Sequence, residues 1–170
     1  MEHQNLNKLA EHSERYPFIA EHRGGPLSKE NHRKLIKWAR ECSEHVLSLI
    51  DKEPDQRLIH ALNIAKDWEM GSIPTGAAIK ASLGAHAVAR ESDDPVTKAI
   101  ARSIGQAVAT AHMADHSLGG PFYALKAVKL ANKSIEEERK WQTAKLKDLP
   151  SELVEIINSM WTKKELDRRI

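Results

Sequence analysis

The sequence is poor in features that define several classes of protein. Its 170 residues include one cysteine, Cys42, so an intramolecular disulfide cannot form and nothing indicates an oxidising compartment. No apolar run approaches the roughly 20 residues of a membrane-spanning helix. The N-terminus lacks the basic and apolar regions of a signal peptide. We therefore expect a soluble, cytoplasmic protein without a membrane partner.

An excess of charge of one sign is also missing. The chain has 26 Lys and Arg residues against 24 Asp and Glu residues, and the two signs are interspersed along it. Proteins that bind nucleic acids concentrate basic residues on one face. The most basic segment, residues 163–169, also contains Glu165 and Asp167 and is interpreted as a solvated helix end. The charge pattern therefore predicts no nucleic-acid partner.

The alternating apolar residues of β-strands are absent, and helical spacing takes their place. Between prolines and glycines, apolar residues recur at every third or fourth position. We predict an all-α fold with one compact domain, residues 28–170, of about six or seven helices. An N-terminal segment, residues 1–27, is predicted to be partly extended or to form a short helix.

Capping residues predict where most of these helices begin and end. The first long helix should begin after Ser28 and end before Pro54. The second should end at Gly71, a residue suited to a left-handed C-terminal cap. The last two helices should begin at Ser134 and just after Pro150.

Small residues dominate two predicted central helices, residues 76–90 and 95–118. Small side chains allow helix axes to approach closely. We therefore predict that these helices form a close-packed central hairpin, with Ala85 and Ala107 in its tightest contact. Residues 79–84 partly repeat residues 100–105, which indicates either a duplicated hairpin or a chance similarity between alanine-rich helices.

Nine histidines provide the one pattern that suggests a metal site. His112 and His116 are four residues apart, and on an α-helix this spacing would place both on one face. His86, His45 and Cys42 are candidate third ligands, but none has a diagnostic spacing. Histidines that fill polar gaps between helices explain the same pattern. We predict no catalytic residue, metal or cofactor, and retain His86, His112 and His116 as the alternative metal site.

Several short motifs resemble one bacterial family over residues 24–149. In chain order they are GPLS at 25–28, HRKL at 32–35, CSEHVL at 42–47, AKDWEMG at 65–71, AHAVARE at 85–91, AVATAHMADH at 107–116, YALKAV at 123–128 and ERKWQ at 138–142. Together they resemble the immunity-five-like family of bacterial immunity proteins. The turn at residues 53–57 is shorter and less acidic than the pattern of that family.

The resemblance implies a helical protein that binds and neutralises a cognate toxin without catalysis. It supplies no toxin-contacting or catalytic residues. From the exposed charges and aromatic anchors that protein interfaces use, we predict a partner contact that includes Glu137, Glu138, Lys145 and Trp161. Two alternatives remain: a small metal- or ligand-binding helical enzyme that uses the histidine cluster, and a structural helical homo-oligomer.

Overall fold

Helices make up most of residues 15–170, the part of the chain that the computed structural model describes. Seven α-helices succeed one another there: α1 (Lys29–His45), α2 (Gln56–Glu69), α3 (Thr75–Glu91), α4 (Pro95–Ala109), α5 (Gly119–Leu130), α6 (Ile135–Ala144) and α7 (Ser151–Lys163). The predicted all-α, single-domain fold is confirmed. Residues 1–14 of the predicted N-terminal segment lie outside the described residues. Within residues 15–170, no helix has both the length and the apolar character needed to cross a bilayer.

The local capping signals place most helix ends where the sequence predicts them. The Ser28 hydroxyl accepts a hydrogen bond from the Asn31 backbone N–H at 3.1 Å, and the Ser134 hydroxyl accepts one from Glu137 at the same distance. Each bond satisfies one of the donors that the first turn of a helix leaves free. Gly71 follows α2 with a φ of +76°, a conformation that glycine adopts without the strain of a Cβ atom.

The central element of the domain is α4, which packs against α1, α2, α3 and α5. Its small residues allow this close packing. At Gly105, a Cβ atom would lie 2.6 Å from Nε2 of His86 on α3. Ala85 and Ala107 are buried on the two arms of the α3–α4 hairpin, and the Ser82 hydroxyl of α3 donates to the Gly105 carbonyl at 3.0 Å. The predicted small-residue hairpin is therefore at the centre of the fold.

The predicted length of this central helix is wrong, because α4 ends at Ala109 and not at residue 118. The chain turns through residues 110–113, forms a short 3-10 helix at Ala114–Leu118 and enters α5 at Gly119. The released Thr110 carbonyl accepts a hydrogen bond from Nε2 of the buried His32. After this turn, Leu118 is buried in the aromatic cluster.

The buried apolar residues form two clusters. The alanine-rich cluster lies mainly between α2, α3, α4 and the adjoining faces of α1 and α5. The aromatic cluster joins α1, α5 and α7 to the chain ends and contains Phe18, Trp38, Phe122 and Trp161. Ser103 of α4 connects the two regions: its hydroxyl lies 2.7 Å from that of Ser43 and donates to the Gly120 carbonyl at 2.7 Å.

Candidate functional site

The turn after α4 separates the histidines that were candidates for a metal site. His112 lies in the turn, and His116 lies in the 3-10 helix, where Nδ1 is 2.7 Å from the Gln106 side-chain oxygen. His86 packs over Gly105 instead. Burial lowers the pKa of both His86 and His116. Within residues 15–170, no group of three His, Cys, Asp or Glu side chains is arranged to hold a metal ion.

The remaining candidate ligands have other packing roles. Cys42 is fully buried in the aromatic cluster, and burial raises the pKa of its thiol well above the ordinary value. A thiol held in this way is a weak nucleophile and a poor metal ligand. His45 stacks on the Trp141 ring with 3.6 Å between ring centroids, and its Nδ1 lies 2.7 Å from the Glu138 carboxylate.

The four residues predicted to contact a partner divide between core and surface. Trp161 is only 3% exposed, its indole N–H donates to Asp167 at 2.8 Å, and the Arg139 guanidinium lies 4.0 Å from its ring centroid. Glu138 is also buried, against His45. Glu137 is exposed, and Lys145 is half-buried beside Trp141. Trp161, predicted to be an aromatic anchor of a partner contact, is therefore buried in the aromatic cluster, and the contact itself stays a prediction.

A surface that sequence reasoning missed lies on the outer side of α3. Its inward residues are small, whereas Ile79 and Leu83 point outward and are 38% and 64% exposed. Ala87 and Arg90 continue this row at helical spacing, and the exposed Lys80 lies beside it. We call these five residues the α3 outer face. The sequence contains a signal for this surface: most alanines of α3 recur along one face of the helix, and its larger apolar residues Ile79 and Leu83 lie on another face.

A second surface feature is a groove beneath residues 15–27. This segment contains short 3-10 turns at Tyr16–Phe18 and Glu21–Arg23 and is held down by the buried Phe18 and Leu27. It crosses the beginnings of α1 and α3 and the end of α2. Two adjoining cavities of about 360 and 170 Å³ lie there, and five residues line both. The shared lining residues are Ala20, His22, His32, Trp68 and Thr75. We call this feature the N-terminal groove.

Two aromatic rings form the floor of the N-terminal groove. The rings of His32 and Trp68 are 4.8 Å apart and tilted by 57°. The Trp68 indole N–H donates to the Thr75 hydroxyl at 3.1 Å, which ties the end of α2 to the beginning of α3. Because the Thr110 carbonyl can only accept, Nε2 of His32 carries the proton of the neutral ring. These bonds give the groove a fixed floor.

The fold and these surfaces describe a small helical protein with an exposed apolar helix face and a separate basic-lined groove. Residues 25–149 match the family model described as "Imm-5 like putative immunity protein". The match spans most of the 170 residues, and the chain belongs to this family. Comparison with curated proteins and with solved structures gives no match.

Proposed function

We propose that this protein binds a cognate toxin and neutralises it by forming a complex, without turning over a substrate. Membership of the immunity protein family, over residues 25–149, is the observation that carries the proposal. An immunity protein of this kind needs a surface that is available in the free protein and recognises one partner. The α3 outer face has the composition of such a surface.

The α3 outer face combines an apolar centre with a basic edge. Large apolar side chains at the surface contribute to binding when a partner removes them from water. Leu83, at 64% exposed, and Ile79 provide that area, and Lys80 and Arg90 add positive charge beside it. The toxin surface that fits this face is therefore an apolar patch bordered by Asp and Glu residues.

The sequence-based contact at Glu137 and Lys145 remains a rival proposal. These residues belong to α6 and the turn after it, and α6 packs on α5, whereas α3 packs on α2 and α4. The two surfaces therefore belong to different parts of the domain, and single substitutions can distinguish them. Charge reversal at a rim residue mainly slows association, while loss of an apolar centre mainly speeds dissociation.

Co-expression with a toxin encoded by a neighbouring gene tests the proposal. Wild-type protein should restore growth of a toxin-producing host and should co-purify with the toxin. Leu83→Asp should abolish protection, because it places a charge in the apolar centre of the contact. The matched control is Leu130→Asp, which changes a leucine that is 49% exposed on α5 and should leave protection intact.

Other outcomes would point to other readings. If wild-type protein neither restores growth nor binds the toxin, the immunity function is wrong. If Glu137→Lys abolishes protection and Leu83→Asp does not, the toxin binds the α6 surface and not α3. A third outcome is that the toxin is not bound and that Leu83→Asp dissociates a homodimer into monomers. The α3 outer face would then join two copies of this chain, as the structural-oligomer alternative predicts.

A further inference from the structure

The N-terminal groove gathers positive charge that the described residues do not neutralise. Arg33 projects from α1 into this groove, and it makes no hydrogen bond or ion pair with any residue of 15–170. Its Nε atom is fully buried without a partner. Buried guanidinium nitrogens are normally paired, because an unpaired buried charge loses hydration and gains nothing in return. Among residues 15–170, the buried Nε atom of the half-buried Arg33 side chain therefore has no acceptor.

The Arg33 guanidinium packs closely against the backbone of Gly71. Gly71 has no side chain, and a Cβ atom there would lie 2.6 Å from Nη2 of Arg33. The neighbouring acidic residues have other partners: Glu69 pairs with Arg40 at 3.0 Å, and Glu30 with Lys34 at 3.4 Å. A planar guanidinium suits an oxyanion, which it can bind through two parallel hydrogen bonds.

Further positive charge comes from the other walls. Arg23 lies on the covering segment, and Lys29 lies at the beginning of α1. The pKa of His32 is lowered first by burial and further by the nearby charges of His22 and Arg23. Glu21 is the one acidic residue that lines either cavity, and its carboxylate accepts a hydrogen bond from the Lys29 backbone N–H at 3.3 Å. A concave site lined by more basic than acidic side chains concentrates anions.

The first turn of α3 adds to the positive electrostatic potential of the N-terminal groove. Pro74 occupies the N-cap position, and no side chain caps this helix. The positive end of the α3 dipole therefore lies at the groove wall that Pro74 and Thr75 form. The larger cavity, at about 360 Å³, has the size of a small-molecule site, and Trp68 provides an apolar surface within it.

We propose that the N-terminal groove binds a small organic oxyanion, a phosphate- or carboxylate-bearing molecule whose charged group is held by Arg33 and whose apolar part lies against Trp68. The site is independent of the toxin contact proposed above, because it is built from the ends of α1, α2 and α3 and from residues 15–27. It does not include the α3 outer face. The bound anion would accept hydrogen bonds from the Arg33 guanidinium.

Titration of the full-length chain with adenosine monophosphate and with inorganic phosphate tests this site. Trp68 lines the groove, so binding should change tryptophan fluorescence, and calorimetry provides an independent readout. We expect saturable binding of adenosine monophosphate, with weaker binding of phosphate because phosphate has no apolar part. Arg33→Gln should weaken both by about tenfold or more, the loss expected for a charge-assisted hydrogen-bonded pair. Added salt should weaken binding to the wild type more than binding to the variant.

The matched control is Lys34→Gln, which removes a positive charge one residue along α1 outside the two groove cavities, where Lys34 pairs with Glu30. Its affinity should equal that of the wild type. Thermal unfolding would establish that Arg33→Gln is folded. Equal affinity in the wild type and Arg33→Gln, or saturation by neither probe nor by benzoate as a carboxylate probe, would overturn the proposal. Binding of the toxin that is lost in Arg33→Gln, with no small anion bound, would assign the groove to an acidic segment of the partner and would also overturn it.

Discussion

The alanine-rich and aromatic clusters both fill the space between packed helices, but they do so with side chains of different size. Of the 21 buried residues in the alanine-rich cluster, eleven are alanine and none is aromatic, so the helix backbones themselves come close together. The aromatic cluster has one alanine and four aromatic rings among its 16 buried residues, so large side chains fill the space between more widely separated elements.

The two regions also differ in which apolar residues lie at the surface. On α3 the small residues face the alanine-rich cluster, and the larger Ile79 and Leu83 lie on the α3 outer face. In the aromatic cluster the large residues, including Trp161, are buried. The buried Trp161 is therefore a poor candidate for an exposed contact, whereas Ile79 and Leu83 lie at the surface.

The largest effect should follow removal of a ring from the aromatic cluster. Trp38 is 1% exposed, and its indole N–H donates to the Gln142 carbonyl at 3.0 Å. Trp38→Ala leaves a cavity and an unsatisfied carbonyl, and should lower the free energy of unfolding by about 3–5 kcal/mol. Urea denaturation measures this change. Leu83→Ala, at an exposed site, is the control and should stay within about 0.5 kcal/mol of wild type.

A smaller effect should follow added volume on α4, the central helix that carries part of the alanine-rich cluster. Ala107 is 1% exposed on α4, so a larger side chain must displace its neighbours. Ala107→Leu should lower the free energy of unfolding by about 1–3 kcal/mol through overpacking. Ala87→Leu, the same change on the α3 outer face, should have little effect. Equal stability of Ala107→Leu and wild type in urea would show that the contact around α4 is loose.

The smallest effect should be a loss of stability in mild acid that originates beside α4. His32, His86 and His116 pack against the C-terminal half of this helix or the turn after it, and burial lowers the pKa of each below the ordinary 6.5. Above that pH both the folded and unfolded chains hold neutral rings. As the pH falls below 6.5, the unfolded chain binds protons that the folded chain resists, so stability declines.

Melting temperatures measured between neutral and mildly acidic pH would reveal this decline. His32→Gln retains an N–H donor for the Thr110 carbonyl and should flatten the pH dependence. His60→Gln, a change at an exposed position of α2, should leave the dependence as in the wild type. A slope that is identical in all three proteins would mean that His32 does not contribute to acid sensitivity.

The sequence predicts features of this fold that depend on nearby residues and misses those that depend on distant ones. The helix starts at Ser28 and Ser134 follow from hydroxyls that bond to N–H groups three residues away. Just after the end of α4, the Thr110 carbonyl accepts a hydrogen bond from His32, which is 78 residues away in the chain. No local pattern contains that bond, and the alanine-rich segment before residue 118 continues to favour a helix.

The candidate sites show the same limit. The pairing of His112 with His116 assumed an uninterrupted helix, and the burial of Trp161 depends on Arg139 and on the chain end that folds back over it. The N-terminal groove could not be predicted from spacing, because its lining comes from residues 15–27 and from three helix ends. The α3 outer face could have been predicted from the sequence, since its larger apolar residues lie outside the alanine stripe of α3.

The most direct test of the account is the affinity of purified protein for the cognate toxin, compared between wild type, Leu83→Asp and Leu130→Asp. Leu83→Asp should weaken binding by about 30-fold or more, the loss typical of an interface hot spot, mainly through faster dissociation. Leu130→Asp should bind like the wild type. Equal affinity of Leu83→Asp and wild type for the toxin would contradict the claim that the α3 outer face is the toxin-binding surface.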